Sequence, residues 1–186
     1  MRIKDIVSLE TASVNPMNDA DLYWHLYSLP SFDDGKQREC VLGSDIQSNK
    51  YVVPNRCILF NKLNVRFKRI WRIDNTDEHK ICSTEFLPLV VDENIADYNY
   101  VYYLLNSDRI TTYLCGQNSN TSGSHKRIDP NNFMNIEVNL PNLDMQRSIG
   151  STLASIDAKI ELDATINQNL PLLGRSLRGA GVRRAA

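Results

Sequence analysis

The feature that most constrains the fold of this chain is a long amphipathic segment from Pro141 to Leu170. Apolar residues recur there at spacings of mostly three or four, the period of one face of an α-helix. They are Met145, Ile149, Leu153, Ile156, Ile160, Ile166 and Leu170, with Leu162 on a neighbouring row. Asp144 is placed to accept hydrogen bonds from the first turn, and Pro171 lacks the N–H that would continue the helix. The pattern predicts a helix that ends at about Leu170 and is about 40 Å long.

Two arrangements of this apolar stripe are open. In one it packs on its own domain, as the apolar face of most amphipathic helices does. In the other it pairs with a partner helix, and the interruptions at Asp163 and Asn167 are tolerable in a helix pair that needs a fixed register. We predict the second arrangement, an antiparallel coiled coil. Its partner surface would be Ile149, Leu153, Ile156, Ile160, Leu162, Ile166 and Leu170.

The rest of the chain has the size of one domain. Of the 186 residues, 1–140 are enough to enclose a core. Short β-favouring runs and a few helical patterns indicate an α+β domain that is rich in strands. Residues 141–171 form the long helix in this prediction, and 172–186, which follow the proline and are rich in Arg and Gly, form a basic and disordered tail.

The hydrophobic and polar periodicity places the elements of the domain. The β-favouring runs 51–54, 57–60 and 65–73 predict two or three strands, and further strands are predicted at residues 22–29, 81–91 and 133–140. Helical spacing of Tyr98, Val101, Tyr102, Leu105 and Ile110 predicts one helix from Asp97 to Leu114, with Asp97 or Asn94 as its cap. A hydrophilic loop follows at residues 117–127.

Composition excludes several classes of protein. No apolar run approaches the roughly 18–20 residues of a membrane span, and the N-terminus has no uninterrupted apolar core of a secretory signal. Cys40, Cys57, Cys82 and Cys115 are widely spaced and lack a C-x-x-C pair. We therefore expect a cytoplasmic protein with reduced, mostly buried thiols and without a zinc site.

Charge is segregated along a chain whose net charge is only −1. Residues 50–72 contain seven Lys and Arg and no Asp or Glu, whereas residues 74–108 contain eight Asp and Glu against Lys80. Between Val65 and Ile73, apolar and basic residues alternate except at Lys68 and Arg69, which predicts a strand with one cationic face and a bulge. Such a basic stripe is either a solvated face or a surface for phosphate groups.

The hydrophilic loop adds a second candidate surface for DNA. Short Ser, Thr and Gly residues allow close approach to a phosphate backbone, and longer basic side chains reach phosphates or guanine acceptors. A plain surface loop is the alternative. Taken together with the basic stripe, DNA binding is the better hypothesis. The predicted contacts are Lys62, Asn64, Arg66, Lys68 and Arg69 of the stripe and Ser122, Gly123, Ser124, His125, Lys126 and Arg127 of the loop.

Evidence for an enzyme is weak. The sequence has no P-loop, no G-x-G-x-x-G, no paired metal ligands and no nucleophile elbow. The best alternatives are Cys115 with His125 as a thiol and base, and Glu85 with His79 as an acid and base pair. Spacing along the chain supports neither pair, so we predict no catalytic residues.

Several segments together resemble the DNA-specificity subunit of type I restriction–modification systems, in a half-length form. The resemblance covers most of residues 20–170, and the order and spacing of its motifs carry it. These motifs are Trp24 with YSLPSFD at 27–33, KLNVR at 62–66 with Trp71, STEF at 83–86, TSGSHKR at 121–127, PNLDMQ at 141–146, and IDAKIEL at 156–162 with Asn167.

The resemblance implies a non-catalytic protein. Members of this family hold double-stranded DNA in recognition domains, each specifying part of a split target, while long helices set the distance between the domains. The helices also dock a methyltransferase subunit that modifies adenine, and a restriction and translocase subunit joins the complex. This chain would bind no cofactor or metal itself, because S-adenosylmethionine and ATP would belong to the partner subunits.

This sequence departs from the family pattern in having one recognition domain and one helix instead of two of each. A homodimer paired through antiparallel helices would restore the two-domain arrangement and would recognise an inverted repeat with a fixed gap. The alternative function is an assembly module whose helix binds a partner protein and whose basic stripe has no DNA specificity.

Overall fold

The computed structural model describes residues 1–117 and 126–179 of the chain. In these residues the strands are β1 (Val7–Leu9), β2 (Ser13–Val14), β3 (Tyr23–Tyr27), β4 (Glu39–Leu42), β5 (Lys50–Val52), β6 (Cys57–Asn61), β7 (Ile70–Ile73), β8 (Lys80–Cys82) and β9 (Phe86–Val91). The helices are α1 (Leu29–Asp33), α2 (Tyr98–Asn106), α3 (Asp108–Gln117), α4 (Pro130–Met134) and α5 (Leu143–Gly179). The α+β fold class and the long C-terminal helix are confirmed.

The strands form two sheets. The first has four antiparallel strands in the order β1-β9-β6-β7, and the second has five in the order β2-β5-β8-β3-β4. In the second sheet β3 and β8 are parallel, whereas the other neighbours are antiparallel. Because β8 and β9 are separated by only three residues, the chain crosses from one sheet to the other at residues 83–85.

Strand β6 is buried along its whole length because both faces of the first sheet are covered. On one face Ile58 and Phe60 join the larger core, which α2, α3 and α4 complete. On the other face Cys57 and Leu59 join a second core with residues of the five-stranded sheet. A strand covered on both faces shows no alternation of polar and apolar residues, which explains the continuous apolar run in the sequence.

Two predicted strands are shorter or divided in the structure. Only Ile70–Ile73 of the predicted strand 65–73 is a strand, because the chain turns at residues 64–67, with Asn64 at φ +50°. The predicted strand 81–91 is two strands in different sheets, separated by a turn in which the N–H of Phe86 donates to the carbonyl of Ser83. Local β propensity did not separate strand from turn here, since both turns contain β-favouring residues.

Two further predictions also need correction. The predicted helix 97–114 is broken at Ser107, whose extended backbone (ψ 148°) ends α2 and whose hydroxyl accepts from the N–H of Ile110 at the start of α3. The cap of α2 is Asp97, as predicted. The predicted last strand, 133–140, is instead the end of α4 followed by an isolated bridge between Glu137 and Arg2.

Helix α5 begins as predicted but does not end at Leu170. Asn142, not Asp144, caps its first turn by accepting from the N–H of Met145. The helical backbone continues through Pro171 to Gly179, so the predicted helix of 141–171 is too short and residues 172–179 are not a disordered tail. Proline disfavours a helix by about 3 kcal/mol, but the leucines and arginines after it are strong helix formers. Residues 180–186 lie outside the described part.

The first turns of α5 are fixed to the domain by polar contacts and a close approach. The buried side chain of Gln146 accepts from the N–H of Asp97 at 3.0 Å and donates to the carbonyl of Pro141 at 2.8 Å. One turn later Gly150 lies against the start of α2. Further along, the hydroxyl of Tyr103 donates to Asp157 at 2.7 Å. Burial, together with this hydrogen bond, raises the pKa of Tyr103 to about 12.

The apolar stripe of α5 does not pack on the domain. Leu153 is half-buried, whereas Ile160 is 60% exposed. The other exposed members of the stripe are Met145, Ile149, Ile156 and Ile166, and Leu162 on the neighbouring row is exposed as well. The side chain of Leu170 lies outside the described part. The face that docks on α2 is therefore a different one, about a quarter turn away from the stripe.

The cysteines divide into two classes. Cys57 and Cys82 are buried in the core between the sheets, and burial raises the pKa of the Cys57 thiol to about 12. Cys40 and Cys115 are exposed, so the prediction of mostly buried thiols holds for only half of them. Among the described residues, none of the helices is long and apolar enough to cross a membrane.

Substitution of Gly150 by alanine tests the docking of α5. A Cβ at this position would lie 2.5 Å from Oδ1 of Asp97 and 2.8 Å from the N of Tyr100. Because this contact forces the helices apart, we expect Gly150→Ala to lower the free energy of unfolding by about 1–3 kcal/mol in chemical denaturation. Gly116→Ala is the matched control, since its Cβ would meet nothing within 4 Å and should be neutral or stabilising. Equal stability of the two variants would contradict this packing.

Candidate nucleic-acid interface

Three segments that are distant in sequence meet at the carboxyl end of β6. The N–H of Lys62 donates to the carbonyl of Glu85 at 2.9 Å, and the N–H of Ile128 donates to the carbonyl of Lys62 at 3.0 Å. The N–H of Asn64 donates to the carbonyl of Lys126 at 2.8 Å, which completes an antiparallel bridge between Leu63 and Arg127. The structure thus brings the predicted basic stripe and the end of the predicted loop together.

The backbone of residues 62–64 is fully hydrogen-bonded. The buried side-chain amide of Asn61 donates to the carbonyl of Leu63 at 2.5 Å and accepts from its N–H at 2.8 Å. The carbonyl of Asn64 accepts from the N–H of Phe67 at 2.9 Å, which closes the turn. With the bonds to Glu85, Lys126 and Ile128, every N–H and C=O group of these three residues has a partner. Such a segment is rigid without any ligand.

We call residues 62–67 the basic turn. Its tip is shaped by Asn64, whose positive φ is a conformation that asparagine adopts more readily than most residues. Phe67 follows and is 50% exposed. The guanidinium groups of Arg66 and Arg69 lie 4.8 Å and 5.3 Å from the centre of its ring. The exposed ring of the basic turn therefore has two cations close to it, Arg66 within the turn and Arg69 after it.

Several predicted basic residues are paired with carboxylates of the same domain. Arg69 makes a two-bond contact with Asp33, at 2.7 Å and 2.8 Å, and Lys68 is paired with Asp108. The hydrogen bond from Arg69 lowers the pKa of Asp33, and the one from Lys68 lowers the pKa of Asp108. These carboxylates stay ionised well below neutral pH, so they hold both cations against the domain.

Arg127 is also paired. Its Nε and Nη2 donate to the carboxylate of Glu85 at 2.7–3.0 Å, and this hydrogen bonding raises the pKa of the Arg127 guanidinium. By contrast, Lys62 and Arg66 form no ion pair with any residue that the structure describes. They are therefore the cations of the basic turn whose charge is available to an external anion.

The loop itself is only partly within the described residues. Ser122, Gly123, Ser124 and His125 lie outside them. Lys126 is half-buried and contributes its backbone carbonyl to the contact with Asn64, and Arg127 begins the return of the chain.

Sequence reasoning missed three residues at this interface. Asn61 ends an apolar run, and its local pattern did not predict that its side chain bonds the backbone of Leu63. A polar residue after a buried strand is nevertheless suited to cap a turn. Phe67 was assigned to the apolar face of a strand, and Glu85 was considered only as an acid or base. Long-range pairs such as Glu85 with Arg127 leave no local pattern in one sequence.

One candidate enzyme pair, Glu85 with His79, is not assembled, and the other lies partly outside the described residues. His79 lies at the start of β8, where its ring contacts Trp24, whereas Glu85 follows the other end of that strand and is held by Arg127. Cys115 is exposed on α3, and its proposed partner His125 is outside the described residues. Within residues 1–117 and 126–179 no three His, Cys, Asp or Glu side chains are grouped as metal ligands.

Comparison with known proteins identifies relatives of this chain. A family model, that of the type I restriction modification DNA specificity domain, matches residues 2–172. The specificity subunit of the type I restriction enzyme HindI from Haemophilus influenzae is 27% identical over 120 residues, which is 64% of this chain and 26% of that protein.

Solved structures share the fold. The HsdS subunit from Thermoanaerobacter tengcongensis superposes with a TM-score of 0.73 at 21% identity, over 93% of this chain and 46% of that one. A chain from a study of complex assembly and conformational transition of the type I R-M system superposes with a TM-score of 0.74 at 18% identity, over 100% of this chain and 50% of that one. The S subunit from M. genitalium superposes with a TM-score of 0.60 at 15% identity, over 97% of this chain and 43% of that one.

The chain spans half or less of the length of each of these relatives. The structural likenesses establish the fold, and the family model covers nearly the whole domain and most of α5. On this evidence the chain belongs to the family of type I restriction–modification DNA specificity domains.

Proposed function

We propose that this chain is a non-catalytic, sequence-specific DNA-recognition subunit that recognises one half of a split duplex target. The observation that carries the proposal is the basic turn, in which the backbone of residues 62–64 is fully hydrogen-bonded and Lys62 and Arg66 have no ion-pair partner among the described residues. Binding to a segment that is already ordered avoids the entropic cost of ordering it. Family membership supports the same assignment.

The electrostatics favour an anionic partner at this surface. Phosphate contacts from Lys and Arg release counterions from DNA and supply most of the sequence-independent affinity. Acidic residues dominate residues 74–108, but Glu85 and Asp108 of that segment, like Asp33 outside it, are already bound to cations of the domain. Lys62 and Arg66 thus present unpaired positive charge at the basic turn even though the net charge of the chain is −1.

We further propose that the bound chain directs a methyltransferase subunit that modifies adenine, and that a restriction and translocase subunit joins this complex. In this proposal S-adenosylmethionine and ATP are bound by those partners, and the chain acts in the cytoplasm. The support is the family assignment, together with a long helix that projects an unused apolar face.

The exposed stripe of α5 supports a homodimer. Ile149, Ile156 and Ile160 lie on one face of the helix and are exposed. Ile160 also lines a groove of about 570 Å³ between α5 and the domain, whose walls include Trp71 and Tyr102. Two copies joined by antiparallel helices would bury this apolar surface and would place two recognition domains on an inverted repeat.

The same stripe also favours the alternative function, a protein-assembly module without DNA specificity. Both functions predict a complex through α5, but only the first predicts retention of duplex DNA. Binding of the full chain, with and without its methyltransferase partner, to a mixed-sequence duplex pool at low salt separates the two.

Removal of the free charges tests the DNA-binding proposal. We expect Lys62→Gln and Arg66→Gln each to reduce the magnitude of the slope of log K against log salt concentration by about 0.9, because each loses one phosphate contact. Fluorescence anisotropy with a labelled duplex at several salt concentrations measures this slope.

Arg56→Gln is the matched control for that experiment. Arg56 immediately precedes β6, so it lies at the other end of the strand, about 20 Å from the basic turn. Its guanidinium is paired with Glu93. Its removal should leave the slope unchanged, with folding checked by thermal denaturation. A wild-type chain that retains no duplex at low salt in the presence of the partner would refute the proposal.

Charge on the apolar stripe tests the homodimer. Ile156→Glu combined with Ile160→Glu should convert a dimer into a monomer, because two buried carboxylates would face the partner helix without counter-charges. Ala158→Glu is the control, since Ala158 is exposed on nearly the opposite face of α5. Light scattering measures the mass of each variant, and a dimer that survives the double substitution would contradict this interface.

A further inference from the structure

The paired arginine at the interface has one occupied edge and one open edge. Nε and Nη2 of Arg127 both donate to Glu85. Among the described residues nothing accepts from Nη1, and Nη2 keeps a second N–H. The open edge, formed by Nη1 and Nη2, still has two parallel donors. The Arg127 side chain is 51% exposed and that of Glu85 is 21% exposed, so the arginine faces outward and the carboxylate lies behind it.

Both members of the pair are fixed through their backbones. The bridge to Leu63 holds the main chain of Arg127, and the carbonyl of Glu85 accepts from the N–H of Lys62. The two side chains therefore meet across the segment that forms the start of the basic turn. A guanidinium held at both its backbone and its inner edge has little freedom to follow a moving phosphate.

The charge of the pair argues against a phosphate ligand. Arg127 and Glu85 together are neutral, and the carboxylate would repel a phosphate that approached the same guanidinium. A base edge carries no net charge and is not repelled. Guanine presents two acceptors, O6 and N7, in the major groove, and their spacing matches two parallel N–H donors of an arginine.

Arg69, the other arginine among the predicted DNA contacts that has a carboxylate partner, has a different position. The side chain of Arg69 is only 20% exposed, and its guanidinium lies beside the ring of Phe67. Arg69 therefore supports the basic turn. Lys68 carries a single ammonium and has no fork for two acceptors.

We propose that Arg127 recognises one guanine through its Nη1/Nη2 edge, that Glu85 is the positioning residue that aims it, and that Lys62 and Arg66 bind phosphates. This assignment rests on the proposed DNA-binding function. It divides the basic residues of the interface into one that determines sequence and two that determine affinity.

The test selects binding sites from a randomised duplex pool, sequences them, and measures the salt dependence of binding to the selected duplex, all with the full chain. The wild type should select a motif with a guanine preference of about 5- to 150-fold at the contacted position. Arg127→Lys should lose this preference, because a lysine ammonium cannot form the paired contact. Lys62→Gln should instead weaken all sequences and leave the motif unchanged.

A charge-neutral double substitution separates recognition from charge. Arg127→Gln with Glu85→Gln removes the pair and preserves the net charge, so the guanine preference should disappear while the salt slope stays within about 0.3 of the wild type. Glu85→Gln alone releases the guanidinium, so the preference should weaken and the slope should steepen by up to about 0.9. A merely structural salt bridge would alter the melting temperature and leave the selected motif intact.

Three outcomes would overturn this inference. The motif could persist in Arg127→Lys and in the double variant, or Arg127→Lys could weaken all sequences equally, or the double variant could lose about 0.9 of the salt slope as a phosphate contact would. Each of these leaves DNA binding itself in place. A wild-type chain that retains no DNA would instead refute the proposed function, and this inference with it.

Discussion

The side-chain amide of Asn61 is the contact on which the candidate interface depends. Only 2% of this residue is exposed, and its amide satisfies both backbone polar groups of Leu63. A buried amide without partners would cost about 1–3 kcal/mol, so the side chain and the turn stabilise each other. With Leu63 held in this way, Lys62 and Asn64 are left to bond Glu85 on one side and residues 126–128 on the other. Three distant parts of the sequence thereby become one surface.

The scaffold behind this surface is strand β6. Its alternate residues belong to two cores, one beneath the helices and one between the sheets. Full burial of a Leu, Ile or Phe side chain contributes about 1.5–3 kcal/mol, and β6 contributes such residues to both cores. The basic turn therefore projects from a central strand of the first sheet that is buried along its whole length. Side chains that must match a base edge need a support of this kind.

Features with a regular period were predictable from the sequence, and features set by single distant contacts were not. The stripe from Ile149 to Ile166 gave the position of α5, and the order of motifs gave the family. The turn at Asn64 extends to Phe67, past the predicted start of a strand at Val65, because Val65 and Phe67 favour strands although they lie in the turn. The pairing of Glu85 with Arg127 has no local signal. The predicted end at Pro171 was wrong because proline weakens a helix without always ending it.

The central claim is that the basic turn contacts DNA. Replacement of Phe67, which is 50% exposed at this turn, by the photoreactive p-benzoylphenylalanine allows a direct measurement of that contact. The matched position is Tyr23, which is 62% exposed at the far end of β3 in the second sheet. On irradiation with duplex DNA, we predict a covalent protein–DNA product from position 67 and none from position 23. Equal yields from both positions, or a product from position 23 alone, would contradict the account.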